Sequence, residues 1–124
     1  MEFKSGSMKT QYYNAPALLK LIVEDFERIS KQFGITPTIT RITDTVIGES
    51  GVHPAGRAID IRDEYIGKRL YTGEQKDALI NFINALYIRT DGKKVIIHHA
   101  FDGGPYHFHV QIPHDQLSIL LARG

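Results

Sequence analysis

Residues 95–112 read Val95-Ile96-Ile97-His98-His99-Ala100-Phe101-Asp102-Gly103-Gly104-Pro105-Tyr106-His107-Phe108-His109-Val110-Gln111-Ile112, and their reading decides the fold. Val95 to Phe101 and Tyr106 to Ile112 are rich in β-branched and aromatic residues, and Asp102 to Pro105 between them has turn chemistry. The pattern predicts an antiparallel hairpin. Alternation along the returning strand puts His107 and His109 on one side, two residues apart. His98 and His99 are neighbours, so only one of them shares that side. A four-residue turn at Asp102–Pro105 selects His98, and the reading favours it; an extra residue at Gly103 selects His99 instead.

Upstream of the hairpin, Ala58-Ile59-Asp60-Ile61-Arg62 is a second alternating run, with Ile59 and Ile61 on one face and Asp60 and Arg62 on the other. It follows a loop, Gly48 to Gly56, with three glycines and a proline in nine residues. Pro37 to Ile47 is extended by its Thr, Ile and Val content. From Ala15 to Phe33 the apolar residues Leu18, Leu19, Ile22, Val23, Phe26, Ile29 and Phe33 recur at helical steps. Asn14 is read as the N-cap, Pro16 as the first turn and Gly34 as the C′ residue. A second helix follows Tyr71, opened by a Thr72–Gln75 capping box, striped with Ala78, Leu79, Phe82, Ile83 and Leu86, and closed by a turn at Asp91-Gly92. A short helix from His114 to Ala122 completes the prediction. The fold class is α+β, a small and mainly antiparallel sheet with helices packed on it.

Composition narrows the function. The chain of 124 residues reads as one domain, with residues 1–7 read as a non-native remnant ahead of a natural start at Met8. Fifteen basic and 14 acidic residues give a net charge of +1, which argues against a nucleic-acid binder. No run approaches the roughly 20 apolar residues of a membrane span. No signal peptide is visible, so the protein is expected to be made in the cytoplasm. The absence of cysteine excludes thiolate metal sites and cysteine nucleophiles, so a metal would have to be held by His, Asp or Glu.

Six histidines make such a site worth seeking. His107 and His109 share a strand face, Asp60 lies on another strand, and His53 sits seven residues before Asp60 in the glycine-rich loop. Two imidazoles and a carboxylate with an open fourth position form a common catalytic zinc arrangement. Taken singly each element is ordinary: an HxH pair is more often a polar strand face, and Asp60 has arginine neighbours at Arg57 and Arg62. Their joint occurrence is the signal.

His53-Pro54-Ala55-Gly56-Arg57-Ala58-Ile59-Asp60 resembles the HxxGxAxD signature of the zinc D-Ala-D-Ala carboxypeptidases and phage L-Ala-D-Glu endolysins. His107-Phe108-His109 resembles the HxH motif of the penicillin-insensitive murein endopeptidases. The resemblance spans residues 14–122 and implies a hedgehog/DD-peptidase-like fold. It implies Zn2+ held by His53, Asp60 and His109, with His107 beside the metal as the catalytic histidine. Ser50 and Arg57 are then candidates for positioning substrate, and Arg41 for binding a substrate carboxylate. The implied activity is hydrolysis of peptide bonds in peptidoglycan stem peptides or cross-links, at the cell wall, by a phage lysis or tail-associated enzyme. One position departs from the pattern. The carboxylate that many members carry three residues before the last ligand is Tyr106 here, which shifts proton transfer toward His107 and one of His98 and His99. The alternatives are a non-catalytic zinc-binding module of the same fold and a metal-free domain with scattered histidines.

Overall fold

The computed structural model describes residues 1–42, 57–100, 103–115 and 118–122. In chain order they form β1 (Glu2–Phe3), α1 (Gly6–Tyr13), α2 (Ala17–Gln32), β2 (Thr38–Arg41), β3 (Ala58–Arg62), β4 (Glu64–Tyr65), β5 (Lys68–Arg69), α3 (Gly73–Leu86), β6 (Tyr87–Arg89), β7 (Ile96–His99), β8 (His107–Gln111) and β9 (Ile119–Leu121). Five strands make one sheet in the order β1-β2-β3-β8-β7, antiparallel except for the parallel β1–β2 pair. This is the expected α+β class.

Strand alternation divides the sheet into two faces. One face sends Ile39, Ile59, Ile61, Ile96, Phe108 and Val110 into a core closed by Leu19, Ile22, Val23 and Phe26 of α2 and by Leu79 and Ile83 of α3. Phe108 meets the rings of Phe26 and Tyr71 edge-on, each at 5.0 Å between centroids. The other face carries Asp60, His107, His109 and Gln111. The α2 stripe is therefore what fixes the sidedness of the sheet, because its apolar residues need the Ile and Phe face for burial.

The Thr72–Gln75 capping box forms in full: Gln75 N–H donates to Thr72 Oγ1 at 3.1 Å and Thr72 N–H to Gln75 Oε1 at 2.9 Å. Within the α3 stripe Leu79 and Ile83 are buried, whereas Phe82 is half exposed. Asn84, from the same helix, fastens the start of β7. Its Oδ1 accepts from Val95 and Ile96 N–H, and its Nδ2 donates to Ile96 O.

Several elements differ from the sequence reading. Asn14 does not cap α2; it ends α1, with its N–H donating to Thr10 O, and Pro16 occupies the N-cap position of α2. Apart from these differences, residues 1–7 contain β1 and the start of α1, and the Met1 amino group pairs with Glu27 at 2.6 Å. Among the described residues of the stretch expected to be helical, His114–Ala122, no α-helix forms; Ile119–Leu121 instead pairs antiparallel with β6. A short apolar run suits helix or strand equally, and here Tyr87-Ile88-Arg89 supplies the partner. The β4–β5 hairpin turns at Ile66 and Gly67, both at positive φ, the geometry of a two-residue hairpin loop.

Candidate metal centre

The register of the sheet assembles the site. Asp60 of β3 pairs with His109 of β8, and Arg62 with His107. Across the next interface His99 of β7 pairs with His107 and Ile97 with His109. Side chains of paired residues rise on the same face, so Asp60, His99, His107 and His109 gather on the side away from the helices. His98 does not join them, which corrects the expectation drawn from a four-residue turn. The pairs close at His99 and His107, the connection is odd in length, and Gly103 takes a left-handed φ of 75° within it. Register then places His99, rather than His98, on the histidine face.

His99, His107 and His109 each bring a ring nitrogen within 4.8 Å of the others, close enough to share a metal ion. His109 Nδ1 is 2.9 Å from Asp60 Oδ1, and His107 Nε2 is 3.5 Å from Asp60 Oδ2. His109 Nε2 lies 2.7 Å from Gln111 Oε1, and His107 Nδ1–H donates to Pro105 O at 3.3 Å. Among the described residues His99 Nε2 is buried without a hydrogen-bond partner, an unusual state for an imidazole. The nitrogen and oxygen donors gathered here are of the type that binds a divalent metal such as zinc, whose imidazole and carboxylate bonds run to about 2.0–2.2 Å.

Arg41 reaches the site through a β-bulge. Ile39 pairs with Ile61 but Arg41 with Asp60, so one extra residue separates the two pairs on β2. The Arg41 guanidinium then lies 3.9 Å from Asp60 Oδ2. Arg41, Asp60 and His107 line an open groove of about 330 Å³ together with Arg62, Glu64 and Tyr106. Glu64 Oε1 accepts the N–H of Tyr106 at 3.3 Å, which puts a carboxylate beside the position where the sequence lacks one. His53 and Ser50, expected as a ligand and a substrate contact, lie outside the described residues. The sequence reading missed Gln111 and Glu64. Gln111 follows His107 and His109 at the same two-residue step and was detectable from that spacing; Glu64 depends on the turn at Ile66-Gly67.

On the other face His98 serves a buried carboxylate. Asp63 is fully buried, with Oδ1 accepting Tyr71 N–H at 3.0 Å and Oδ2 meeting Arg69 Nε at 2.5 Å and His98 Nε2 at 2.6 Å. His98 stacks on Tyr106 at 5.2 Å, so the network holds the β4–β5 hairpin and one wall of the groove together.

Burial lowers the pKa of both His98 and His99 below the ordinary 6.5; the charges of His107 and His109 add to the effect at His99, while Asp63 opposes it at His98. Both imidazoles thus bind a proton less readily folded than unfolded. The unfolded chain takes up more protons as pH falls through about 6.5, and stability is lost in that direction. Thermal unfolding of zinc-free protein followed by circular dichroism is expected to show a midpoint that falls between about pH 7.5 and 5.5. A midpoint that rises on acidification contradicts this assignment.

No family model, curated protein or solved structure matches the chain.

Proposed function

We propose that the protein is a zinc-dependent peptidase that hydrolyses peptide bonds in bacterial peptidoglycan stem peptides or cross-links. The observation that carries this reading is the Asp60–His109 pair, with Oδ1 and Nδ1 2.9 Å apart at the edge of a groove that His107 also lines. Two donors on one tetrahedral zinc are separated by roughly 3.3 Å, so the pair already stands near ligand spacing. The resemblance of residues 53–60 supplies His53 as the third ligand.

A zinc ion bound there supplies a Lewis acid and an activated water near neutral pH. The chain's own residues do the rest. With Nδ1–H donated to Pro105 O, His107 keeps its lone pair on Nε2, toward Asp60, where it can receive a proton. His99 stands against both other histidines and is held neutral by burial, a second proton carrier at the same point. Arg41 and Arg62 give the groove cationic walls suited to the carboxylates of stem peptides. The expected place of action is the cell wall, in phage lysis or at a phage tail.

A zinc-binding module without turnover is the second reading, favoured by Tyr106 in the place of a catalytic carboxylate. Digestion of purified peptidoglycan of several stem-peptide chemotypes separates the two. Zinc-loaded protein is expected to release fragments with new peptide termini by mass spectrometry, to stop on chelation and to resume with added zinc. His107→Ala is expected to keep zinc and lose about 10²–10⁴ in rate. Protein that holds zinc and cuts no wall belongs to the second reading.

A further inference from the structure

Gln111 ends the row that His107 and His109 begin on β8. Its backbone is fixed, with N–H donating to Val95 O at 2.8 Å, and its partner across β3 is the small, buried Ala58. Its side chain turns back along the strand, so that Oε1 lies 2.7 Å from His109 Nε2. An amide oxygen only accepts, so Nε2 must carry a proton. In a neutral imidazole the remaining lone pair is then on Nδ1. Asp60 Oδ1, 2.9 Å from Nδ1, is a second pure acceptor; the metal-free ring meets both acceptors with a proton on each nitrogen, and a cation bound at Nδ1 takes the place of the second proton.

We propose that Gln111 is a positioning residue: by accepting the Nε2–H of His109 it fixes the ring tautomer and directs Nδ1, with Asp60, at the metal. The inference rests on the metal centre proposed above and names what aims one of its ligands. Histidine ligands commonly give their second ring N–H to such an acceptor, and losing that acceptor costs about 10–100-fold in metal affinity. Gln111 is a neutral acceptor, so a carboxylate in its place preserves the tautomer and makes the ring a stronger donor.

The test is zinc affinity, measured by competition with a chromogenic chelator, for the wild-type chain, Gln111→Leu and Gln111→Glu. Gln111→Leu is expected to bind zinc about 10–100-fold more weakly, and Gln111→Glu at least as tightly as wild type. Nitrogen-15 spectra of the zinc-loaded wild-type protein are expected to show His109 protonated at Nε2. Circular dichroism of the zinc-free variants reports folding separately from affinity. Wild-type affinity in folded Gln111→Leu, or a zinc-loaded His109 protonated at Nδ1, overturns the inference while leaving the metal centre standing. A wild-type chain that binds no zinc overturns both.

Discussion

Replacing Asp60 by alanine is expected to weaken zinc binding by at least about a thousandfold, roughly 4 kcal/mol. Structural zinc sites release about 10–16 kcal/mol in total, and one ligand of three or four carries a share of that size. Asp60 contributes the anionic donor, and it is close to both His109 and His107. His53→Ala is expected to lose zinc in parallel, whereas His99→Ala and His107→Ala are expected to keep it. The opposite pattern, with zinc kept by His53→Ala and lost by His99→Ala, assigns the ion to the three clustered histidines instead. Isothermal titration with zinc across the four variants reads this directly.

The second large effect belongs to stability. Asp63 is a fully buried carboxylate that receives Arg69, His98 and the Tyr71 N–H. Asp63→Ala leaves the buried Tyr71 N–H and His98 without their acceptor, while the exposed Arg69 guanidinium turns to water, a loss of about 1–3 kcal/mol. For a chain of this size that lowers the thermal midpoint by roughly 4–12 °C. Asp63→Asn retains an acceptor and is expected to lose less. Denaturant unfolding of the two variants checks the ordering; a loss below about 1 kcal/mol for Asp63→Ala would mean the network is replaced by water at little cost.

The sequence carried the pattern of the site more clearly than its register. Alternation in Ala58–Arg62 and in Tyr106–Ile112 predicted Asp60 opposite the isoleucines and His107 on the same side as His109, and the pairing of Asp60 with His109 follows once the strands are adjacent. What alternation leaves open is which residue of a neighbouring strand faces them. That choice fell to Gly103 and to the bulge on β2, which bring in His99 and Arg41. Both depend on backbone conformation at single residues, and composition there is compatible with either register. The C-terminal strand was hidden for a related reason. Ile119-Leu120-Leu121 has no period of its own, and only the edge of β6 makes it extended. Helices α2 and α3 were legible because their stripes are long, and the Thr72 box because it is local, whereas α1 (Gly6–Tyr13) has no apolar stripe and was not legible.

The central claim is that the cluster at Asp60 and His109 is a metal centre, and elemental analysis tests it most directly. Protein purified without chelators and dialysed exhaustively after exposure to zinc is expected to retain one zinc per chain. A folded chain that retains none contradicts the claim.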